Sequence, residues 1–346
     1  MKHQTTRYGE IPFYKIGTFG NTADAFISKK LFLEYRTKYS FPKKGDILIS
    51  ASGTIGRAVI YDGKPAYFQD SNIVWIDNDE TLVKNDFLFY AYSNVKWNTE
   101  HTTILRLYND NFRNTLIPLP PLNEQIAIAN ILSGLDRYLC ALDALILKKE
   151  SVKKALSFEL LSQRKRLKGF NQAWQRVRLG DIANYLTSNL SVKQITQQGK
   201  IKVYDVNNFI GYTDTTFISD KPYISIVKDG SVGRVRILPP KTNILSTMGA
   251  LIANHRTTTE FLFYLLSNFD FKNFISGSII PHIYFKDYKE KTIFLPPLNE
   301  QSTIANILSD LDNEIASLKN KKRQFENIKK TLNHDLMSAK IRVLKK

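Results

Sequence analysis

The side chains in this sequence that could do chemistry are mostly basic, and they do not form a catalytic pattern. The five histidines are scattered along the chain: His3, His101, His255, His282 and His334. We find no phosphate-binding glycine loop, no dinucleotide-binding glycine pattern and no histidine pair at metal-ligand spacing. The single cysteine, Cys140, is predicted to be a small buried residue of a helix. A formal net charge of +17 instead indicates a polyanionic or acidic partner.

The basic residues concentrate in two segments. Residues 148–168 contain eight basic and two acidic side chains, and residues 319–346 contain ten and two, so these segments hold +14 of the formal charge. Two interpretations remain open. The segments are either the solvated faces of helices, or helices that lie along nucleic acid or against an acidic protein surface.

One stretch of the sequence occurs twice in the chain. Residues 119–136 read LPPLNEQIAIANILSGLD and residues 295–312 read LPPLNEQSTIANILSDLD, so the copies differ at three positions. We call the difference in residue number between equivalent positions of the two copies, such as 119 and 295, the repeat offset. In each copy a proline pair, which cannot continue a helix backwards, precedes an Asn-Glu dipeptide that favours the first turn of a helix. The pattern predicts that helices begin near Asn123 and near Asn299.

Apolar residues follow each start at alternating steps of three and four, which is the spacing of a coiled-coil seam. The two predicted seams consist of Ile128, Leu132, Leu135, Leu139, Leu142, Ile146, Leu156 and Leu160, and of Ile304, Leu308, Leu311, Ile315, Leu318, Phe325, Leu332 and Leu336. Lys149, Lys322 and Lys329 interrupt them. Each helix should run about 40 to 45 residues, roughly 65 Å, with the first ending near Gly169. We predict that the helices pair antiparallel; the alternative is that each packs on its own domain.

The segments outside the helices are predicted to form two related globules. Residues 230–234 correspond to residues 53–57, a glycine-containing turn between predicted strands at 46–50 and 58–61. Two further pairs correspond: residues 261–268 with 87–94, and residues 283–284 with 107–108. The second globule opens with Trp174-Gln175-Arg176-Val177-Arg178-Leu179-Gly180-Asp181-Ile182, which has no counterpart before the first. Residues 9–19 align instead with residues 199–209, so we expect the first globule to be truncated at its N-terminal side.

The predicted fold class is α+β. Two globular mixed α/β domains with twisted, largely antiparallel sheets would be separated by two long helices that form an antiparallel coiled coil, with pseudo-two-fold symmetry. The predicted boundaries are 1–118 for the first globule, 119–169 for the first helical spacer, 170–294 for the second globule and 295–346 for the second spacer.

The two helix starts share polar residues that a helix seam does not need. These residues are Asn123, Glu124, Gln125 and Asn130 in the first copy and Asn299, Glu300, Gln301 and Asn306 in the second. Like surfaces suggest like partners, so we predict that two copies of one protein dock on them. The alternative is a recent duplication that left the residues unchanged by chance.

These features resemble the specificity subunit of a type I restriction-modification system, the HsdS family, over almost the whole chain. The resemblance rests on the doubled Leu-Pro-Pro-Leu-Asn-Glu-Gln helix start, the segment that begins at Trp174, and the two glycine turns. It implies that each globule is a target recognition domain reading half of a bipartite duplex DNA site, with the helices fixing the distance between the halves. It also implies a non-catalytic chain that docks two methyltransferase subunits, which a restriction/translocase subunit joins. S-adenosylmethionine, ATP and Mg²⁺ are expected on those partner subunits, and no cofactor, metal or catalytic residue on this chain.

Base readers would be polar and basic residues in loops. The candidates are Lys29, Lys30, Arg36, Lys43, Lys44, Arg57, Gln69 and Arg106 in the first globule, and Lys193, Lys228, Arg234, Arg236, His255, Arg256 and His282 in the second. Arg57 and Arg234 are the strongest, because each follows a glycine turn that lets the backbone approach a ligand closely. The alternatives are ordinary solvated side chains and ordinary hairpin turns.

Two other functions remain possible from the sequence. One is a stand-alone enzyme on nucleic acid, such as a nuclease, which the scattered histidines do not favour. The other is a coiled-coil scaffold that binds protein and not DNA. No apolar run approaches the length of a membrane span and no cleavable leader is visible, so we expect a cytoplasmic protein without a membrane partner.

Overall fold

The computed structural model describes residues 4–68, 72–97 and 106–344. The chain forms two compact units: unit 1 comprises Met1–Asp143 and Asn320–Lys346, and unit 2 comprises Ala144–Lys319. Two helices of 40 residues, α4 (Leu122–Leu161) and α7 (Leu298–Met337), each contribute one half to each unit. The boundaries of the compact units therefore fall inside the two predicted helical spacers. Each globule packs with one half of α4 and one half of α7. No helix in the described ranges is long and apolar enough to cross a membrane.

Both long helices begin where the sequence predicts. They start one residue before Asn123 and Asn299, directly after the proline pairs. The prediction that the first helix ends near Gly169 is wrong, because α4 ends at Leu161. The chain turns there through Gln163, which has a φ of 62°. A non-glycine residue in this left-handed region is uncommon and has no clear sequence signal.

In the described part of its sequence, the globule of unit 1 forms two three-stranded sheets and three short helices. Its elements are β1 (Ile11–Tyr14), β2 (Ala25–Ile27), α1 (Lys29–Lys38), β3 (Ile47–Ser50), β4 (Ala58–Ile60), β5 (Tyr67–Phe68), β6 (Ile73–Ile76), α2 (Asn85–Tyr92) and α3 (Asn109–Arg113). The sheets have the orders β2-β1-β5 and β4-β3-β6. Only the β1–β5 pair is parallel among these pairings. All four residues of β3 are buried, so this apolar strand forms the centre of the second sheet.

The globule of unit 2 repeats this plan with more strands. Its elements are β7 (Gln175–Arg178), β8 (Ala183–Thr187), β9 (Ile201–Tyr204), β10 (Phe209–Thr213), β11 (Tyr223–Val227), β12 (Val235–Leu238), β13 (Thr242–Ile244), β14 (Met248–Ala253), α5 (Thr259–Ser267), α6 (Phe285–Tyr288) and β15 (Thr292–Leu295). The sheets have the orders β12-β11-β14-β8, β10-β9-β13 and β15-β7. Only β9–β13 is parallel among these pairs. The prediction of an α+β fold with largely antiparallel sheets is confirmed.

Within unit 1 the first half of α4 packs antiparallel on the second half of α7. Asp136 pairs with Lys329, and Asp143 pairs with Lys322 at 2.6 Å, so the residue number rises along one helix as it falls along the other. Ile128, Leu132 and Leu336 are buried in one core cluster there. Such a cluster is what a coiled-coil seam predicts.

Unit 2 contains the same arrangement with the roles exchanged. Lys149 lies 2.8 Å from Glu314, and Lys153 pairs with Asp312. Leu160, Ile304 and Leu308 are at most 1% exposed in the core of this unit. The antiparallel pairing is therefore confirmed in each unit. The lysines that interrupt the predicted seam, Lys149, Lys322 and Lys329, are partners of acidic residues on the facing helix.

Candidate nucleic-acid interface

Two hairpin turns with the same backbone conformation present the arginines that the sequence singles out. Gly53 and Gly56 lie between β3 and β4 and have φ values of 67° and 78°. Gly230 and Gly233 lie between β11 and β12 and have φ values of 84° and 80°. Because glycine alone adopts this region without steric cost, the four glycines fix both turns in one shape. The arginine after the second glycine therefore occupies the same place in each globule.

An aromatic ring covers the second glycine of each turn. A Cβ atom at Gly56 would lie 2.2 Å from Nε1 of Trp97, and one at Gly233 would lie 2.7 Å from Cδ2 of Phe271. These distances leave no room for a side chain. The aromatic ring thus packs against one side of each turn, whereas the arginine that follows the turn is exposed.

The arginine of the first turn is oriented by a hydrogen bond within its globule. Arg57 Nη1 donates to the carbonyl of Phe19 at 3.0 Å, and the residue as a whole stays exposed. Because a guanidinium carries five N–H donors, this bond leaves others to contact a ligand.

Each turn also pairs with a segment from later in its globule. Ser52 forms an isolated antiparallel bridge with Arg106, and Asp229 forms one with His282. Arg106 and His282 are related by the repeat offset, as the two helix starts are. The structure therefore brings Arg106 to the turn of Arg57, and His282 to the turn of Arg234. In both globules two predicted candidates meet at one turn.

In unit 2 this meeting point is a polar cluster beside a groove. His282 Nδ1 lies 2.7 Å from Asp229 Oδ1, and the amide of Ile283 donates to the carbonyl of Lys228 at 2.9 Å. Arg234 lines a groove of about 480 Å³ together with Lys272. Lys272 was not among the sequence candidates, because it lies in a short 3-10 turn far from the glycine motif.

One exposed tyrosine lies beside each of these turns, and neither tyrosine was predicted from the sequence. Tyr108 is 43% exposed and Tyr284 is 48% exposed. The guanidinium of Arg106 lies 5.9 Å from the ring centre of Tyr108, and the ring of His282 lies 6.4 Å from that of Tyr284. The signal that could have found them is the repeat offset, which pairs these tyrosines. Exposed aromatic rings beside basic side chains suit contact with nucleotides.

The other candidates of unit 1 lie away from the turn or are engaged elsewhere. Lys43 forms an ion pair with Asp77 at 3.1 Å, and this hydrogen bond raises the pKa of Lys43. Arg36 lies over the ring of Phe41 at 5.6 Å. Three lysines are exposed outside the cluster: Lys29, Lys30 and Lys44. Gln69 lies outside the described residues.

In unit 2 the remaining candidates do not converge on the turn either. Arg236 donates to the carbonyl of Asn207 at 3.0 Å and lies over Tyr204. Lys193 is exposed on a separate 3-10 turn. Because Val227 is opposite Met248 in the β11–β14 ladder, residues that follow Ala253 lie at the other end of this sheet. His255 and Arg256 are therefore not part of the cluster, and Arg256 donates instead to Gln175 at 3.2 Å.

The glutamines of the two helix starts fasten each globule to its helix. Gln125 Nε2 donates to the carbonyls of Leu82 at 3.1 Å and Pro120 at 2.9 Å, and its Oε1 accepts from the amide of Lys84 at 2.8 Å. Gln301 makes the same three bonds, to the carbonyls of Arg256 at 3.0 Å and Pro296 at 2.8 Å and from the amide of Thr258 at 3.1 Å. Each glutamine thus fixes the entry to α2 or α5.

The glutamates of the helix starts bind arginines that lie beyond the end of the facing helix. Arg342 donates to both oxygens of Glu124, from Nε at 2.7 Å and from Nη2 at 2.5 Å. Arg166, the counterpart of Arg342 at the repeat offset, donates to Glu300 from Nη2 at 2.7 Å. The hydrogen bonds from Arg342 lower the pKa of the Glu124 carboxyl. Charge-assisted pairs of this kind are stronger than neutral hydrogen bonds.

These contacts correct the assignment of four polar residues to a docking surface. Glu124, Gln125, Glu300 and Gln301 are at most 2% exposed, and their hydrogen-bonding groups are used within their own unit. Their side chains therefore cannot present a surface to another protein in this fold. Asn123, Asn130, Asn299 and Asn306 are exposed, and their docking role stays a prediction.

Among the residues that the structure describes, no group of three or more His, Cys, Asp or Glu side chains could hold a metal ion. Cys140 is exposed, so its predicted burial is wrong. It lies on α4, on a face that the facing helix does not cover.

Each of the two related units contains a basic hairpin turn and one half of each long helix. The chain belongs to the family of the type I restriction modification DNA specificity domain, whose model matches residues 1–150 and 171–327. The two matched segments each contain one glycine turn and one helix start. Its relatives are specificity subunits of type I restriction enzymes, which are non-catalytic, as the resemblance implies.

Known proteins resemble the chain in part or over most of its length. A putative type I restriction enzyme specificity subunit of Haemophilus influenzae is 64% identical over 137 residues, which cover 39% of this chain and 36% of that protein. The putative MjaX specificity subunit of Methanocaldococcus jannaschii is 28% identical over 86% of this chain and 79% of its own length. The crystal structure of the S subunit from M. genitalium has the same fold, with a TM-score of 0.63 at 21% identity over 97% of this chain and 91% of that one.

Proposed function

We propose that this chain supplies the sequence specificity of a type I restriction-modification complex by reading a bipartite duplex DNA site, one half with each globule. The observation that carries the proposal is the duplicated cluster at the glycine turns, Arg57 with Arg106 and Arg234 with His282. An arginine on an exposed turn can donate two hydrogen bonds to a guanine edge or to a phosphate. The net charge of +17 supplies the attraction to the phosphate backbone.

The two clusters differ in ways that suit different half-sites. In unit 1 the bridge joins Ser52 to Arg106, which offers a hydroxyl and a guanidinium. In unit 2 the bridge joins Asp229 to His282, which offers an imidazole bonded to a carboxylate. Because each base pair presents its own pattern of donors and acceptors in the major groove, different side chains at equivalent places read different bases.

The long helices would specify the gap between the half-sites. Each has 40 residues, about 60 Å at the rise of an α-helix. A spacer of fixed length selects half-sites at a fixed separation without reading the bases between them. This role would explain why helices of equal length occur in both copies.

Two methyltransferase subunits would dock on the exposed part of the two helix starts. Asn123 and Asn130 are exposed beside Leu122, which is 39% exposed. The second copy repeats this set with Asn299, Asn306 and Leu298. Identical exposed residues in both copies suit two copies of one partner, which a restriction/translocase subunit would join. S-adenosylmethionine, ATP and Mg²⁺ would then bind to these partners, in the cytoplasm.

The main test replaces the two arginines one at a time. Arg57→Ala and Arg234→Ala, each assembled with the methyltransferase subunits, should relax one half of the methylated motif and leave the other half intact. Loss of one bidentate contact should weaken discrimination by about 1–3 kcal/mol, or roughly 5- to 150-fold. Methylome sequencing of the host reports the motif, and Lys200→Ala, at an exposed lysine of unit 2, is the control. If both variants methylate the unchanged motif at the unchanged rate, the turns do not read bases.

A second experiment separates this proposal from the other two functions. The pure chain is incubated with duplex DNA, Mg²⁺ and S-adenosylmethionine, with and without the methyltransferase subunits. Cleavage or methyl transfer by the chain alone would show an enzyme. Absence of any salt-dependent DNA binding by the chain with its partners would instead support a protein-binding scaffold.

A further inference from the structure

A closed loop of unit 2 carries two exposed isoleucines. The amide of Ser276 donates to the carbonyl of His282 at 2.9 Å, and the amide of His282 donates to the carbonyl of Ser276 at 2.7 Å. The five residues between them read Gly-Ser-Ile-Ile-Pro. Ile279 is 92% exposed and Ile280 is 54% exposed. We call residues 276–282 the isoleucine loop.

The backbone of the isoleucine loop favours one shape. Gly277 has a φ of 88°, a conformation that glycine adopts at little cost. A Cβ atom at this position would lie 2.3 Å from the carbonyl oxygen of Ile280, so the two arms of the loop approach too closely for any other residue. Because its own backbone bonds close the loop, Ile279 and Ile280 are held out from the core of unit 2.

The isoleucine loop is attached to the glycine turn of the candidate interface. The amide of Gly230, the first glycine of that turn, donates to the carbonyl of Pro281 at 2.9 Å. Ile275, which immediately precedes the loop and is 42% exposed, lines the groove that contains Arg234 and Lys272. The loop and the arginine of the turn therefore belong to one continuous surface.

Exposed lysines flank the isoleucine loop on both sides in sequence. Lys272 precedes it, and Lys286 follows it, with Nζ of Lys286 lying 5.5 Å from the ring centre of Tyr284. Single apolar residues scattered over a protein surface need no explanation. Two adjacent isoleucines on a fixed loop within a basic surface instead indicate an apolar group carried by a polyanion as their partner.

Duplex DNA offers such a group on the edges of its bases. An isoleucine side chain has no hydrogen-bond donor or acceptor, so it can read a base only through an apolar contact. In the major groove this contact is available from the 5-methyl group of thymine, which the other three bases lack. An arginine that donates to a guanine edge also lies in the major groove. Because the loop is bonded to the turn of Arg234, it would meet the same groove.

We propose that Ile279 and Ile280 read thymine in the half-site of unit 2 by packing against its 5-methyl group in the major groove. This inference rests on the proposed function and adds an apolar contact to the polar contacts of Arg234 and His282. The isoleucines are specificity-determining residues that contribute nothing at a base without a methyl group. Burial of one methyl group should strengthen binding by about fourfold, from the transfer free energy of a group of this size.

The test uses the full chain assembled with its methyltransferase subunits, and duplexes that contain the motif found by methylome sequencing. Each thymine of both half-sites is replaced in turn by deoxyuridine, which forms the same base pair and lacks the 5-methyl group. Fluorescence anisotropy should show about fourfold weaker binding for substitutions at one or two thymines of one half-site. In the variant Ile279→Ala with Ile280→Ala, the same substitutions should have no effect, and any effect in the other half-site should be unchanged.

A matched control separates the isoleucine loop from exposed apolar residues in general. Val192 is 69% exposed in the same unit, on a separate 3-10 turn, and Val192→Ala should keep the full sensitivity to deoxyuridine. Circular dichroism checks that the double variant folds. If it does not, Ile279→Ala alone, at the more exposed of the two positions, takes its place.

The outcomes distinguish this inference from the proposed function. The inference is overturned if neither half-site contains a thymine that is sensitive to deoxyuridine, or if the sensitivity persists in the isoleucine variant. It is also overturned if 2-aminopurine fluorescence rises at a base step while deoxyuridine has no effect, because the loop would then separate base pairs as a wedge. The proposed function itself fails if the assembled complex shows no salt-dependent DNA binding and methylates no bipartite motif.

Discussion

Glu124 and Glu300 illustrate how a buried carboxylate can join parts of a unit that are far apart in sequence. Each lies in the first turn of a long helix and binds an arginine from beyond the end of the facing helix, Arg342 or Arg166. Removal of one partner of a buried pair leaves an uncompensated charge, so such pairs are costly to break. Replacing these glutamates and the adjacent glutamines should therefore damage folding before it damages any docking.

The Glu124 pair gives a pH-dependent prediction. Its carboxyl has a folded-state pKa below the usual 4.5, because Arg342 donates hydrogen bonds to the ionised form. The stabilisation is therefore fully present above pH 4.5 and is lost as the pH falls through the lowered pKa. We expect Glu124→Gln to lower the free energy of unfolding most at neutral pH, and the difference from the wild type to shrink in acid.

Urea unfolding at several pH values measures this difference. Glu34→Gln, at an exposed residue of α1, is the control and should show little difference at any pH. A deficit of Glu124→Gln that stays constant into acid would mean that the ionised carboxylate is not its cause.

At the residue scale the sequence predicts positions better than roles. The repeat singles out Glu124, Gln125 and their counterparts as important positions, and in the structure all four are buried and hydrogen-bonded. Their role was mistaken, because two identical interior networks preserve identical residues just as two identical docking surfaces do. The distinction depends on Arg166 and Arg342, whose contacts with the glutamates arise only when the helices pair.

At the scale of elements, the paired helices depend on their buried seam. Leu132 is 0% exposed and packs in one cluster with Ile128 and Leu336. Leu132→Ala should lower the free energy of unfolding by about 2–5 kcal/mol, because the lost side chain leaves a cavity. Ile131→Ala, at a neighbour that is 40% exposed, should cost less than Leu132→Ala. Equal losses for the two variants in thermal or urea unfolding would contradict the assigned seam.

The glycine turns give a second prediction at this scale. Gly233→Ala places a side chain at a φ of 80° and against the ring of Phe271. It should cost about 1–3 kcal/mol and displace Arg234, so both stability and DNA affinity should fall. Gly134→Ala is the matched control: this helical glycine has open space around it, and alanine should stabilise the helix by up to about 1 kcal/mol. If Gly233→Ala keeps both properties, the turn does not require glycine.

Helix starts could be read from the sequence, whereas one helix end could not. The proline pairs at 120–121 and 296–297 stop a helix by covalent geometry, so their signal does not depend on tertiary structure. Gly169 was read as the end of α4 because glycine is common there. The helix instead ends at Leu161, before Gln163, which has a left-handed backbone conformation. Glutamine carries no sequence signal for that conformation.

At the scale of the whole molecule, the proposed spacer role predicts how the gap should respond to helix length. Deleting one heptad from each helix, residues 140–146 and the facing residues 319–325, should shorten the pair by about 10 Å while keeping the seam in register. The preferred gap should then shrink by roughly three base pairs at 3.4 Å per step. Methylome sequencing measures the gap, and deletion of the heptad from one helix alone should abolish assembly. An unchanged gap in the double deletion would show that the helices do not set it.

The architecture of the whole chain follows from the repeat, since nearly equal offsets assign equivalent parts without knowledge of any contact. What the repeat could not supply is the difference between the units. Residues 116–119 and β15 are equivalent in sequence position, yet only β15 has a strand partner in the described part of the chain. The difference arises from residues 174–182, whose place in the core is a tertiary effect.

The buried indole of Trp174, which donates to Glu300, is also an intrinsic fluorescent probe. The chain has three tryptophans: Trp75 and Trp97 belong to unit 1, and Trp174 belongs to unit 2. In a chain with Trp75→Phe and Trp97→Phe, ultraviolet emission from indole would arise from unit 2 alone. Unfolding of unit 2 could then be followed separately from that of the rest of the chain, by the emission wavelength of this one buried indole.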